Sequence, residues 1–266
     1  MATESPGRRC NFGVTTRLMR IIINADDLGA SQKINDAIFN FMSRGIVSSA
    51  TILVNAPALN DALTRIPNYP DNSFGIHLNL TQYRPVSSNE SLGEILDNNG
   101  NFTKKLFHIT PSFALLRGIL FELSCQIEKL QDGGVIPSHI DSHHHIHTIP
   151  FMFPVIKRLQ QKFGIRKVRL ARNLYSPSGP AYSKLLLIKK RLWNYALRNL
   201  ISTTTTSTFT DFKTFVDIAC NRNLTSRSIE LQTHPGNEDV KEDALLQSGW
   251  MDRVPFETSI ISYRDL

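Results

Sequence analysis

The chain reads as one α/β domain on a mostly parallel sheet that closes, incompletely, into a barrel. Three observations predict this. Strand-like and helix-like segments alternate from residue 18 to about 249. The clearest strand-like run, Leu18 to Asn24, is apolar on both sides of its alternation, as a strand covered on both faces must be. Polar residues then collect at the C-terminal ends of several strands, where parallel barrels place their chemistry.

Taken in order, the strand 18–24 runs into Ala25-Asp26-Asp27-Leu28-Gly29. Ser31 can cap a helix over 32–44, with Ile34, Ile38, Phe41 and Met42 on one face and Gly45 at its end. A strand over 46–54 precedes a short helix from Pro57 to Arg65, and 74–80 is the third strand. Residues 81–105, rich in Ser, Asn and Gly, are a long irregular connection of the kind used as a functional loop or lid. A helix over 112–131, a strand over 136–141, a helix over 151–163 and a strand over 166–170 follow. The remainder reads as a helix over 181–200, a Ser/Thr loop over 202–208, a helix over 211–222, a strand over 228–233 and a last helix over 239–249. Residues 1–16 read as a tail, so the domain is placed at 17–266.

The 266 residues, 41% hydrophobic, suffice for a single barrel with a sizeable core. The net charge is +7, but the basic residues are scattered and form no nucleic-acid motif. The stretch 184–198, which holds Lys189, Lys190 and Arg191, reads as a solvated helix face. The three cysteines, Cys10, Cys125 and Cys220, fit neither a disulfide framework nor a zinc finger. No secretory signal or membrane-length apolar run is visible, so a reducing, cytoplasmic setting without a membrane or nucleic-acid partner is expected.

The chemistry concentrates at four strand ends. Five of the eight histidines fall within residues 139–147. In an extended stretch, residues 139, 141, 143, 145 and 147 share one face, and burying that face demands partners such as a metal ion. Asp26 and Asp27 are adjacent carboxylates after a buried strand; they repel unless a cation or base neutralises one. A sharp turn there could aim both at one cavity. A helix-cap role for Asp27 is the alternative. His77, alone in an apolar strand, reads equally as a hydrogen-bonded core residue, and His234 precedes Pro235-Gly236 at a strand end. One carboxylate and two imidazoles would make a three-ligand metal site with open positions.

The motifs Asn24-Ala-Asp-Asp-Leu-Gly29, Gly75-Ile-His-Leu78, His139-Ile-Asp-Ser-His-His-His-Ile-His147 and Glu230-Leu-Gln-Thr-His-Pro-Gly236 resemble those of the YdjC-like carbohydrate deacetylases. That family includes chitooligosaccharide deacetylases acting on acetylated chitobiose. The resemblance spans about residues 18–250. It implies a distorted, TIM-like (β/α) barrel related to the polysaccharide deacetylases, and a Mg²⁺ or Zn²⁺ ion held by one Asp and two His. The ligands then fall on Asp27, His77 and His143, the general base on Asp26, and the acid or oxyanion stabiliser on His234. Arg169 and Arg172 match arginines of which one orients the base. Asp141, His145 and His147 fall beside the ligands or toward substrate. An acetylated mono- or oligosaccharide is the implied substrate, and a homodimer is compatible with the family. The chain departs from the pattern over 176–208 and in the tail 253–266, expected to be truncated or divergent. A metal-dependent phosphoesterase and a sugar-binding relative without activity are the rival readings.

Overall fold

The isoleucines Ile21, Ile22 and Ile23 of β1 (Met19–Leu28) are all buried, so this strand has protein on both faces. The computed structural model describes residues 18–266 apart from 178, 201, 220–223 and 225. The tail expected over 1–16 lies outside the described residues. Beside β1 stand β2 (Ser49–Ile52), β3 (Ser73–Leu78), β4 (Ile140–Ser142), β5 (Thr208–Asp211) and β6 (Ser228–Thr233). Their order is β4-β3-β2-β1-β6-β5, and every pairing is parallel.

Helices between the strands are α1 (Gln32–Ser43), α2 (Leu59–Arg65), α3 (Phe113–Asp132), α4 (Phe153–Phe163), α5 (Lys184–Asn199), α6 (Phe212–Ala219) and α7 (Asp243–Leu246). Ser31 caps α1 as expected, its hydroxyl accepting from Ile34 N at 3.2 Å. Ile38, Phe39, Phe41 and Met42 of α1 are buried in the core. Among the described residues no helix is long and apolar enough to cross a membrane.

The expected strand over 166–170 is reduced to isolated bridges. Val168 bridges Ile140 and Lys167 bridges Thr204, with Ile140 N donating to Lys167 O (2.9 Å) and Thr204 N to Arg166 O (3.1 Å). Single bridges, not a ladder, therefore link β4 to residues 167–168 and that segment to Thr204, ahead of β5. This is the incomplete closure of the barrel. The strand expected over 136–141 also contracts: Ile136 is 85% exposed and pairing starts at Ile140. The last helix, expected over 239–249, is a single turn, α7.

Two strands had no clear counterpart in the sequence reading. β5 begins inside the Ser/Thr run 202–208, where the Ser207 and Ser228 hydroxyls and backbone atoms exchange hydrogen bonds that stitch the start of β5 to β6. The tail 253–266 returns to the sheet as β7 (Thr258–Ile260), which pairs with Met19–Ile21, below the stretch of β1 that pairs with β2. Beyond it Tyr263 is fully buried, its hydroxyl donating to Glu230 and its ring stacked 3.5 Å from His139. His139 in turn lies flat on Gly75: a Cβ there would stand 2.4 Å from the imidazole, so only glycine fits.

The segment 81–105 is also more built than expected. It forms short 3-10 turns at Glu90–Ile95 and, at its end, Lys104–Phe107, and buries Leu92, Ile95 and Phe102. The carboxylate of Glu122 on α3 clamps its start, accepting from Val86 N (2.9 Å) and Ser87 N (2.7 Å).

Tyr263 ties the tail to the barrel floor. Replacing it with Ala should cost roughly 3–5 kcal/mol in chemical denaturation. Tyr263→Phe should cost about 1–3 kcal/mol by taking a donor from buried Glu230. Unchanged denaturation midpoints in both variants would contradict this placement.

Candidate metal centre

The site begins with a bulge. Ala25 pairs with Ala50 and Leu28 with Ile52, so β1 spends three steps where β2 spends two. Asp27 absorbs the extra residue with φ +67, a left-handed conformation that Asp tolerates better than most residues. Adjacent strand residues normally point to opposite faces; the bulge lets Asp26 and Asp27 both face the strand tips.

Asp27, His77 and His143 come together as a group able to hold a metal ion. Asp27 Oδ1 stands 3.3 Å from His77 Nε2 and 2.9 Å from His143 Nδ1. Neither contact has hydrogen-bond angles, and among the described residues this oxygen has no hydrogen-bond partner. The far nitrogen of each ring is engaged elsewhere. His77 Nδ1 bonds Asp141 Oδ1 at 2.7 Å, and His143 Nε2 bonds Gln82 Oε1 at 3.0 Å. These outer bonds call for a proton on the outer nitrogen, which leaves the inner lone pairs facing a carboxylate oxygen. Two lone pairs and an anion repel unless positive charge, a proton or a metal ion, stands among them, and the donor set fits a divalent ion. Burial opposes charge on His77, but Asp141, Asp26 and Asp27 overcome it and raise its pKa to about 10. A metal at Nε2 must therefore displace a proton.

Behind this group one guanidinium serves three carboxylates. Arg169 is fully buried and stacks over Phe209, 4.9 Å from the ring centroid. Its Nη1 and Nη2 each lie 2.7 Å from an oxygen of Asp26, a bidentate pair. Its Nε donates to Glu230 at 2.7 Å, and Nη1 also stands 2.8 Å from Asp141. Asp26 further accepts from Asn24 Nδ2 (2.9 Å) and Gln232 Nε2 (2.8 Å), so four donors fill its acceptor positions. Burial alone would raise its pKa, but the charge and hydrogen bonds of Arg169 hold it far below the usual carboxylate range. Glu230 goes the other way: burial outweighs Arg169 and Tyr263 and pushes it up to about 7.

His234 follows β6 and is a quarter exposed at its side chain. Burial disfavours its cation, yet Glu242, Asp26 and Asp27 prevail and raise its pKa. Glu242 also accepts from His234 N (2.9 Å) and Thr233 Oγ1 (2.9 Å).

The histidine tract does not run extended. It turns directly after β4, with His144 at φ 50 and His145 at φ 56, so its side chains scatter. His143 meets Asp27, while His144 Nδ1 bonds Thr81 Oγ1 at 2.8 Å. His147 folds back on Ser142, and His139 lies beneath the site on Tyr263. His145 packs edge-on against Phe209 and lines a cavity of about 250 Å³ with Thr148, Ala171, Arg172, Tyr182 and Lys190. Arg172 pairs with Asp211 and not with Asp26; the arginine that grips Asp26 is Arg169. Sequence reasoning missed Gln82, Thr51, Gln232, Glu242 and Tyr263. Thr51 donates to Asp141 Oδ2 at 3.0 Å and completes the support of His77.

A sequence model described as YdjC-like protein matches residues 20–257. Over 154 residues the chain is 37% identical to a carbohydrate deacetylase of Halalkalibacterium halodurans, covering 55% of this chain and 62% of that protein. A carbohydrate deacetylase of Geobacillus stearothermophilus is 38% identical over 57% of this chain and 60% of its own length. These matches span about three fifths of those relatives. With a carbohydrate deacetylase of Oceanobacillus iheyensis the identity is 29%, over 85% of this chain and 90% of that one. A crystal structure from Enterococcus faecalis V583, of a protein named for cellobiose-phosphate cleavage, matches with a TM-score of 0.67. It is 20% identical and covers 93% of this chain and 98% of its own, a likeness of fold.

The geometry makes two expectations. His143→Ala should lose the bound metal in elemental analysis, and full retention would refute its role as a ligand. Because a metal ion at His77 Nε2 would displace a proton, metal affinity should rise with pH across neutrality, by up to about tenfold per unit. Calorimetric titration in buffers of different ionisation enthalpy should register the released proton; a pH-independent affinity would contradict this.

Proposed function

The chain belongs to the YdjC-like protein family, and from that membership we propose that it is a divalent-metal-dependent hydrolase removing acetyl groups from N-acetylated sugars. Relatives named carbohydrate deacetylase support the activity. The observation that carries it is the meeting of Asp27, His77 and His143 beside the Arg169-held carboxylate of Asp26. In this reading residues 17–266 act as one domain, and the substrates are mono- or oligosaccharides containing N-acetylglucosamine.

Asp27, His77 and His143 would hold a divalent cation, which would supply Lewis acidity toward the amide carbonyl and toward water, enough for a weak base to suffice. A donor set of one oxygen and two nitrogens favours Zn²⁺ over Mg²⁺. Asp26 takes the proton of the attacking water. Arg169 keeps it ionised at any working pH, and to accept a proton it must release Asn24 or Gln232. His234 gives its proton to the departing amine, and its raised pKa keeps that proton available near neutrality. A sugar-binding module would need neither function.

Acetate release should therefore appear with N-acetylglucosamine or chitobiose and stop on chelation. Asp26→Asn should cut turnover by roughly 10²- to 10⁴-fold while the metal stays bound. Equal loss of metal would contradict the division of roles.

The pH dependence follows from His234. A raised pKa keeps the imidazolium past the ordinary value of about 6.5, and activity falls as pH rises through the raised value. Glu242→Gln should move the alkaline limb of kcat/KM to lower pH. An unmoved limb would sink His234 as the acid.

A further inference from the structure

α5 lies against the barrel through Trp193, Asn194 and Leu197, which are buried. Its opposite side was expected to be a solvated polar face, yet it carries large apolar residues. Leu185 (62% exposed), Ile188 (51%), Leu192 (63%) and Tyr195 (67%) follow one another at spacings of three, four and three residues. They form one continuous stripe on a helix. The stripe runs about 15 Å along the axis. Scattered apolar residues at a surface need no explanation, but an unbroken helical stripe of four does.

The flanks of the stripe are basic. On the helical wheel Lys189 borders one side and Lys184 and Arg191 the other, all exposed. α5 contains no acidic residue. Among the described residues none of these three cations forms an ion pair. A second copy of α5 laid on the stripe would bring like charges together along both edges, which opposes self-pairing. Apolar side chains bordered on both sides by Lys and Arg match a surface with anionic headgroups over an acyl interior.

We propose that α5 docks the protein onto an anionic lipid bilayer, with the stripe at the headgroup boundary and the cations on the phosphates. This is peripheral seating and needs no spanning helix. It concerns a face outside the metal centre and stands apart from the deacetylase reading. Covering the stripe removes apolar area from water, while the cations add attraction that salt weakens.

The test is cosedimentation of the full chain with vesicles of phosphatidylcholine alone and of phosphatidylcholine mixed with phosphatidylglycerol. The wild type should bind the mixed vesicles, bind phosphatidylcholine on the order of tenfold less, and be released by salt. Ile188→Asp/Leu192→Asp and, separately, Lys189→Glu/Arg191→Glu should each lose binding on the order of tenfold, with unchanged thermal melting. The wild-type comparison and its salt dependence decide the matter even if a variant fails to fold. Absence of wild-type binding, or binding equal on both vesicles, would overturn the proposal. So would a dimer in analytical ultracentrifugation that the stripe variants dissociate while vesicle binding persists.

Discussion

The structure depends on one electrostatic crowding. Asp26, Asp141 and Glu230 share the single guanidinium of Arg169 in a region closed to water. Asp27, a fourth carboxylate, stands against the imidazoles of His77 and His143. Buried charge of one sign is expensive, and a lone arginine cannot balance four carboxyls. The pKa values register the imbalance: Glu230 is forced up to about 7 and His77 to about 10, so protons fill in for missing positive charge. A dication held among Asp27, His77 and His143 would supply that charge and free His77 Nε2 from its proton.

The barrel's parts can be understood as what holds this crowd in place. Parallel pairing sets His77 directly opposite Asp141, so the carboxylate that orients the imidazole is its cross-strand partner. The bulge in β1 turns two consecutive aspartates the same way. From below, Tyr263 braces Glu230, Glu230 holds Arg169 by its Nε, and Arg169 grips Asp26. A tail residue thus acts on the position of a carboxylate at the opposite end of the strands. His139 fills the space between Tyr263 and Gly75, which is why that position admits no side chain.

Much of this was legible in the residues. The Ile-rich run before Asp26-Asp27 marked a buried parallel strand, and the four polar strand ends marked the face that carries the site. Asp27, His77 and His143 meet, and Arg169 holds Asp26, although His77 alone was indistinguishable from a core histidine. What stayed hidden has physical reasons. Local sequence carries little signal for the left-handed turn at His144 and His145, since neither glycine nor asparagine marks it. β5 was obscured because a Ser/Thr run serves loops and strands alike. β7 is three residues long, too short for any periodicity. Gln82 sits in an irregular connection, and its service to His143 exists only in three dimensions.

The most direct measurement is anomalous diffraction from crystals grown with Zn²⁺, collected on both sides of the metal's absorption edge. This account requires a single strong peak per chain within about 2.0–2.2 Å of an Asp27 oxygen, His77 Nε2 and His143 Nδ1. A peak held by other residues, or none among these three at saturating metal, would contradict it.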